Sequence, residues 1–251
     1  MPYETMASDL SLGLDITEFM RSIGFVPDKW QSDFLQSVSK RVLLNCSRQS
    51  GKSTVTSVMA LHKAIYNAGS LILLLSPSLR QSLELYKKVV DGYLSLGNKA
   101  TADVALSTVL KLANGSRIAS LPSSEKTIRG YSGVDLLICD EASRISDDLF
   151  FAVTPMLAVS GGSLVMLSTP FGQRGIFHEL WQQSDYQKIK VTADECPRIT
   201  KEFLESERRT LPSRVFRQEY YCEFIQTDSA VFSYDDVMGL MSDDVIPLMD
   251  R

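Results

Sequence analysis

The nine residues Cys46-Ser47-Arg48-Gln49-Ser50-Gly51-Lys52-Ser53-Thr54 carry the densest chemical signal in the sequence. A Gly-Lys-Ser that follows a short apolar run and opens a helical pattern is built for phosphate. Successive backbone N–H groups and the helix N-terminus can face phosphate oxygens there. In that reading Lys52 reaches the β- and γ-phosphates of ATP, and Ser53 supplies a hydroxyl to Mg²⁺. Cys46 stands where the strict pattern has its first glycine, a departure of one residue. The second signal is Leu136-Leu137-Ile138-Cys139-Asp140-Glu141, an apolar run that ends in two acids. Strands of an open α/β sheet present their C-terminal ends to ligands. Asp140 would hold Mg²⁺ there, and Glu141 would orient and deprotonate the attacking water. A bare Gly-Lys-Ser is common, and acid pairs also serve as helix N-caps, the role expected of Asp147 and Asp148. Together, on what read as adjacent buried strands, the two half-motifs point to nucleotide hydrolysis.

Other groups surround this pair. Ser168-Thr169-Pro170 caps another apolar run, and small hydroxyls there can sense the γ-phosphate or the water; an ordinary strand-end turn is the plainer role. Trp30-Gln31 lies upstream of the loop. The Gln31 amide carries the donor and acceptor that pair with N6 and N7 of adenine, or it is a helix residue in an N-terminal flap. Arg48 sits inside the loop, where stabilisation of phosphate charge is its natural use. Arg129, in Thr127-Ile128-Arg129-Gly130-Tyr131, precedes the acidic run and is placed to reach a neighbour's γ-phosphate as a finger. Arg144 and Arg174 are alternatives for that role, with a solvated surface charge the better reading of Arg144.

The elements that must position these residues follow from the hydrophobic pattern. The first forty residues read as helical pieces anchored by Phe19, Ile23, Trp30, Phe34, Leu35 and Val38 around Pro27. Val42 to Leu44 is a short strand, followed by the loop and a helix with the stripe Val55, Val58, Met59, His62, Ile65 and Tyr66. Leu71 to Leu75, Leu136 to Cys139 and Ser163 to Leu167 are continuous apolar runs, the pattern of strands buried on both faces. Asn114-Gly115 signals a two-residue hairpin between Ser107 and Leu121. Asp147 to Val159 reads as a helix that Pro155 ends or kinks. After Val191 the chain turns helical and more polar. Strands alternating with helices imply a mostly parallel, doubly wound α/β sheet.

Composition bounds the function. The chain has 251 residues, 44% hydrophobic and 22% charged, with a net charge of −4. That is enough for one α/β domain and a small appendage. It gives no global basic field, so contact with DNA needs a local patch or several subunits in a ring. Four cysteines without a C-x-x-C pair, and only two histidines, fit a reducing compartment and speak against a zinc site. The N-terminus has no apolar signal core, and no run approaches a membrane span. A soluble cytoplasmic protein is the expectation.

At this point a family resemblance emerges. The loop Ser47–Thr54, with Arg48 inside it and no leading glycine, resembles the variant phosphate loop of the large terminase subunits of tailed bacteriophages. The likeness extends from Trp30-Gln31 and Ser76-Pro77-Ser78 through Ile128-Arg129-Gly130 and Ile138-Cys139-Asp140-Glu141-Ala142. It continues with Ser168-Thr169-Pro170-Phe171-Gly172 and ends with Arg217-Gln218-Glu219-Tyr220-Tyr221-Cys222-Glu223-Phe224. The resemblance implies an ASCE-type P-loop NTPase with a small helical lid: a core over 1–195, a lid over 196–228, and a tail or linker over 229–251. It implies a DNA-packaging motor, a homo-oligomeric ring in the host cytoplasm docked on a viral procapsid, monomeric or not in isolation. Its partners would be double-stranded DNA, the portal protein and the small terminase subunit, with no membrane. Arg48 would act on its own subunit's phosphates, Arg129 in trans, and Ser168-Thr169-Pro170 would couple hydrolysis to movement. Family members continue into a two-metal nuclease domain, which needs carboxylates gathered on a sheet. Asp235, Asp236, Asp243 and Asp244 lie in a short tail, so no nuclease activity is expected of this chain. A helicase-type translocase, a nucleotide-binding regulatory module and a metabolic kinase are the competing readings. The first lacks room for a second motor lobe, the second has no need of Glu141, and the third needs a substrate pocket.

Overall fold

The computed structural model describes residues 3–97, 102–105, 107–122, 130–183 and 185–226. Arg129 and the 229–251 tail, with Asp235, Asp236, Asp243 and Asp244, lie outside them. Three helices open the chain: α1 (Tyr3–Leu14), α2 (Ile16–Ser22) and α3 (Lys29–Leu35). Asp15 starts α2 by accepting the Thr17 and Glu18 N–H groups at 2.8 and 3.3 Å, satisfying donors that a helix leaves open. Phe19, Ile23, Phe34 and Leu35 are buried as the pattern predicts, but Val38 is 98% exposed. It lies past the end of α3, beyond the reach of that helix's apolar face.

Eight strands form one sheet among the described residues, in the order β3-β4-β5-β2-β6-β7-β1-β8. They are β1 (Arg41–Cys46), β2 (Leu71–Ser76), β3 (Ala102–Ala105), β4 (Val109–Leu112), β5 (Arg117–Pro122), β6 (Leu136–Asp140), β7 (Ser163–Ser168) and β8 (Gln187–Val191). The run β5-β2-β6-β7-β1-β8 is parallel, and β4 is antiparallel to both β3 and β5. On β2, Ile72 and Leu74 enter one core, and Leu71, Leu73 and Leu75 enter the other. The continuous apolar runs are therefore strands covered twice. Truncating one such residue, Leu74 to Ala, should cost ~2–5 kcal/mol. Helices α4 (Lys52–Tyr66) and α5 (Leu79–Ser95) cover the first face; α6 (Asp147–Val153) and α7 (Gly175–Gln182) cover the second. Helices α8 (Lys201–Thr210) and α9 (Ser213–Tyr221) close a separate small core of Ala193, Leu204, Phe216 and Tyr220. Among the described residues no helix is long and apolar enough to cross a membrane.

Four details differ from the pattern-based expectations. First, β7 lies between β1 and β6, so the phosphate-loop strand and the acid strand are not neighbours. Hydrophobic runs reveal that strands are central but not their order. Second, α4 has two apolar faces. Val55, Val58, Ala60, Leu61 and Ala64 are buried, while His62 and Tyr66 cluster with Phe19 of α2. Third, of Asn114 and Gly115 only Gly115 is left-handed (φ 85°). The Leu112 N–H reaches the Ser116 carbonyl at 2.9 Å, giving a three-residue loop in place of the two-residue turn. Fourth, Ser146, not Asp147, caps α6, and Asp147 Oδ1 accepts the Ile176 N–H of α7 at 2.8 Å. Pro155 does end that helix, in a short 3-10 turn over Thr154–Leu157.

Candidate nucleotide site

The phosphate loop leaves β1 with the Ser47 N–H on the Val191 carbonyl (2.9 Å) and the Arg48 N–H on the Glu219 carbonyl (3.2 Å). Gln49 (φ 57°) and Gly51 (φ 89°) are both left-handed and turn the chain into the N-terminus of α4. Cys46 is fully buried in the core beneath the loop. Its side chain packs there among apolar groups, which is how a cysteine is accommodated at the glycine position. Burial drives its thiol far above the ordinary range and lifts those of Cys139 and Cys222 to about 12, so these are neutral, inert thiols.

At the C-terminal edge of the sheet the two half-motifs meet. Lys52 is 8% exposed, and its Nζ lies 3.7 Å from Glu141 Oε1. Ser53 Oγ donates to Asp140 Oδ2 at 3.1 Å, and the Glu141 N–H donates to Asp140 Oδ1 at 2.9 Å. Burial holds the Asp140 carboxyl above its ordinary range, and the Glu141 charge adds to this against the opposing pull of Lys52. Glu141 is left-handed (φ 50°), a conformation that costs a non-glycine residue about 1–3 kcal/mol. The bend sends the chain into the 3-10 turn Ala142–Arg144 directly after the strand.

Ser168 and Thr169 are buried at the end of β7, between the loop and the acids. Ser168 Oγ accepts the Ser143 N–H at 3.2 Å and lies 2.6 Å from Ser143 Oγ, which also donates to the Thr169 carbonyl at 2.8 Å. The hydroxyl of this segment is thus joined to the turn after Glu141. Pro170 is buried beside it.

Several predicted residues have different partners from those expected. The Gln31 amide is engaged within the chain: Oε1 accepts the Asp28 N–H at 2.9 Å and Nε2 donates to the Gly51 carbonyl at 3.4 Å. Both polar ends being engaged, Gln31 braces the loop in this structure. Trp30 packs against the first core. Arg48 Nε pairs with Glu219 of α9, so its guanidinium faces the helical pair. Arg144 and Arg174 stack on the Phe171 ring, 3.9 and 5.1 Å from its centroid. Ser47 and Ser50 are fully buried, Gln49 is exposed, and Thr54 lies in the first turn of α4.

Residues without a motif complete the site. Arg198 clamps Asp28 with two hydrogen bonds (2.9 and 2.7 Å) and donates to the Ser50 carbonyl at 2.7 Å. Asn45 Nδ2 donates to the Cys222 carbonyl at 3.0 Å. Ser143, Asn45 and Arg198 match no local pattern. Glu219 lies within the lid-like sequence Arg217–Phe224, but its pairing with Arg48 spans 171 residues of sequence separation.

A phosphate loop on β1, paired acids on β6 and a strand between them define a P-loop NTPase fold of the ASCE type. Residues 43–238 match the family described as terminase large subunit, T4likevirus-type, N-terminal, and the chain belongs to it. It is 26% identical over 261 residues to the terminase large subunit of Thermus phage G20c, covering 89% of this chain and 54% of that protein. The chain therefore spans about half the length of the curated relatives it matches. Among solved structures it resembles the large terminase ATPase domain of Thermus phage P74-26, with 23% identity and a TM-score of 0.73 over 83% of this chain and 98% of that one. A large terminase of a thermophilic bacteriophage solved in complex with ADP gives 14% identity and a TM-score of 0.64 over 89% and 56%.

Proposed function

We propose that this chain is the ATP-hydrolysing motor domain of a DNA-packaging terminase, driving double-stranded DNA into a viral capsid. The observation that carries the reading is the approach of Lys52 to Glu141 beside the Ser53–Asp140 contact. A terminase from a thermophilic bacteriophage holds ADP or ATP-γ-S, and the fold likeness extends that nucleotide class to this site. A hydroxyl and a buried carboxylate whose charge is poorly compensated suit Mg²⁺, which keeps most of its shell as water and substrate phosphate. Ser53 and Asp140 would hold it, and it would neutralise charge building on the phosphates.

Lys52 adds positive charge at the β- and γ-phosphates, and Glu141 takes the proton of the attacking water. Arg48 reaches its own subunit's phosphates only when its pair with Glu219 opens. Helices α8 and α9 are the lid, and Arg129 is the finger supplied to a neighbour in a homo-oligomeric ring. Docking on the procapsid, with the portal protein and small terminase subunit as partners, belongs to the same proposal. The test is DNA-dependent ATP turnover with packaging into procapsids. Turnover without any DNA movement in the full assembly would reject the motor in favour of a nucleotide switch.

A further inference from the structure

Arg198 is a charged side chain from outside the motifs that touches the backbone of the phosphate loop. Three of its hydrogen bonds have partners far away in sequence. Two go to the Asp28 carboxylate, the residue at the start of α3, and one to the Ser50 carbonyl. The Asp28 side chain is 12% exposed, so this is a partly desolvated, bidentate pair, the strong form of such contacts. Asp28 is fixed in turn by a capping box with Gln31, whose Nε2 donates to the Gly51 carbonyl. Two consecutive carbonyls of the loop therefore have partners from outside it, Ser50 in Arg198 and Gly51 in Gln31. A methyl on Gly51 would lie 2.7 Å from Gln31 Nε2 and 3.1 Å from Arg198 Nη2.

The peptide unit converts this grip into a function. In a trans peptide the C=O and the following N–H point in opposite directions. Holding the Ser50 carbonyl outward aims the Gly51 N–H into the loop, while the Gly51 carbonyl accepts the Val55 N–H at 3.1 Å as the first bond of α4. We propose that Arg198, locked by Asp28, is a positioning residue that orients the Gly51 N–H donor toward the nucleotide's phosphates. The proposal rests on the hydrolysis reading above and adds a residue to it. Arg198 acts from behind the loop, touching neither base nor phosphate. It also lies just before α8, so it joins the base of the helical pair directly to the N-terminal segment and to the loop's backbone.

The prediction separates this role from both a base contact and plain structural support. The 251-residue chain and its Arg198→Ala, Arg198→Lys and Asp28→Asn variants are titrated with ADP and with tripolyphosphate, which has no base. Losing a charge-assisted hydrogen bond should weaken both ligands by the same factor, roughly 10-fold to 100-fold. Arg198→Lys should recover only part of it, because one ammonium cannot span both Asp28 oxygens and the Ser50 carbonyl. Steady-state ATP turnover should show a raised KM with kcat changed by less than about threefold, the mark of uniform binding. A loss for ADP with tripolyphosphate unaffected would overturn the proposal in favour of a nucleoside contact. A lowered melting temperature with unchanged affinities would overturn it in favour of a structural tie. If the wild-type chain binds ADP and never hydrolyses ATP, the hydrolysis reading alone fails, and the ratio of affinities still decides Arg198.

Discussion

Ser143 and Ser168 hold their hydroxyl oxygens 2.6 Å apart, tying the turn after Glu141 to the end of the strand that separates the acids from the phosphate loop. A change at Glu141 cannot move the turn without pulling on β7. Replacing Ser143 by Ala removes this link and the bond to the Thr169 carbonyl. The expected stability cost is about 1–2 kcal/mol, a fall in melting temperature of a few degrees. ADP affinity should stay within about twofold, since no phosphate contact is lost. Under the proposed packaging role, ATP consumed per base pair packaged should rise. A variant that packages as economically as the wild type would show that the seryl pair only holds the turn.

Glu141→Gln keeps the shape of the site and removes the proposed base. Turnover should fall by ~10²–10⁴-fold while ATP stays bound. Single-turnover quench measurements read the chemical step directly, and near-normal rates would exclude Glu141 as the base.

Gly51→Ala forces a methyl into a left-handed position (φ 89°) against Gln31 and Arg198. The expected cost is at least about 1–2 kcal/mol in stability, with nucleotide affinity reduced more than tenfold. Calorimetry and ADP titration measure the two separately, and unaltered affinity would mean the loop tolerates rotation of that peptide.

His62 gives the chain a pH dependence. Burial lowers its pKa below the ordinary 6.5, partly offset by the Leu12 carbonyl 3.1 Å from Nε2 and by the Asp15 charge. The folded state binds the proton less readily than the unfolded one. Stability is therefore complete above pH 6.5, and it declines as pH falls from there until the folded-state value is passed. Amide exchange in α1 should quicken over that window, and His62→Gln should flatten the dependence. A pH-independent wild type would mean that the ring is not held neutral.

Much of the fold was legible because its strands are buried on both faces: Leu71–Leu75 cannot read as anything exposed. The half-motifs at Lys52 and at Asp140-Glu141 were legible because their chemistry is local, a few residues acting from one strand end. Strand order was not, since Ser168 comes after both motifs in sequence and yet stands between them in space. Gln31 was left open for a related reason: an amide can pair with adenine or with backbone, and the sequence does not show the approach of Gly51. Arg198 gave no local signal at all, because Asp28 and Ser50 lie 170 and 148 residues away.

The turn at Asn114 gives α4 a second anchor. Asn114 Nδ2 donates to the Ala64 and Ile65 carbonyls at 2.8 and 2.9 Å, Ser70 Oγ to Lys63, and Ser116 Oγ to Asn67. Carbonyls that a helix normally leaves to water are tied to the hairpin at Ala64 and Ile65, and to Ser70 at Lys63. At its other end the same helix begins with Lys52. Fifteen residues at 1.5 Å each make it a strut about 22 Å long. A push delivered to its first turn by phosphate would arrive at the β4–β5 hairpin as displacement along the axis, without passing through the sheet. The hairpin is then a pointer on the far side of the molecule, and a fluorophore attached there should report what binds at Lys52.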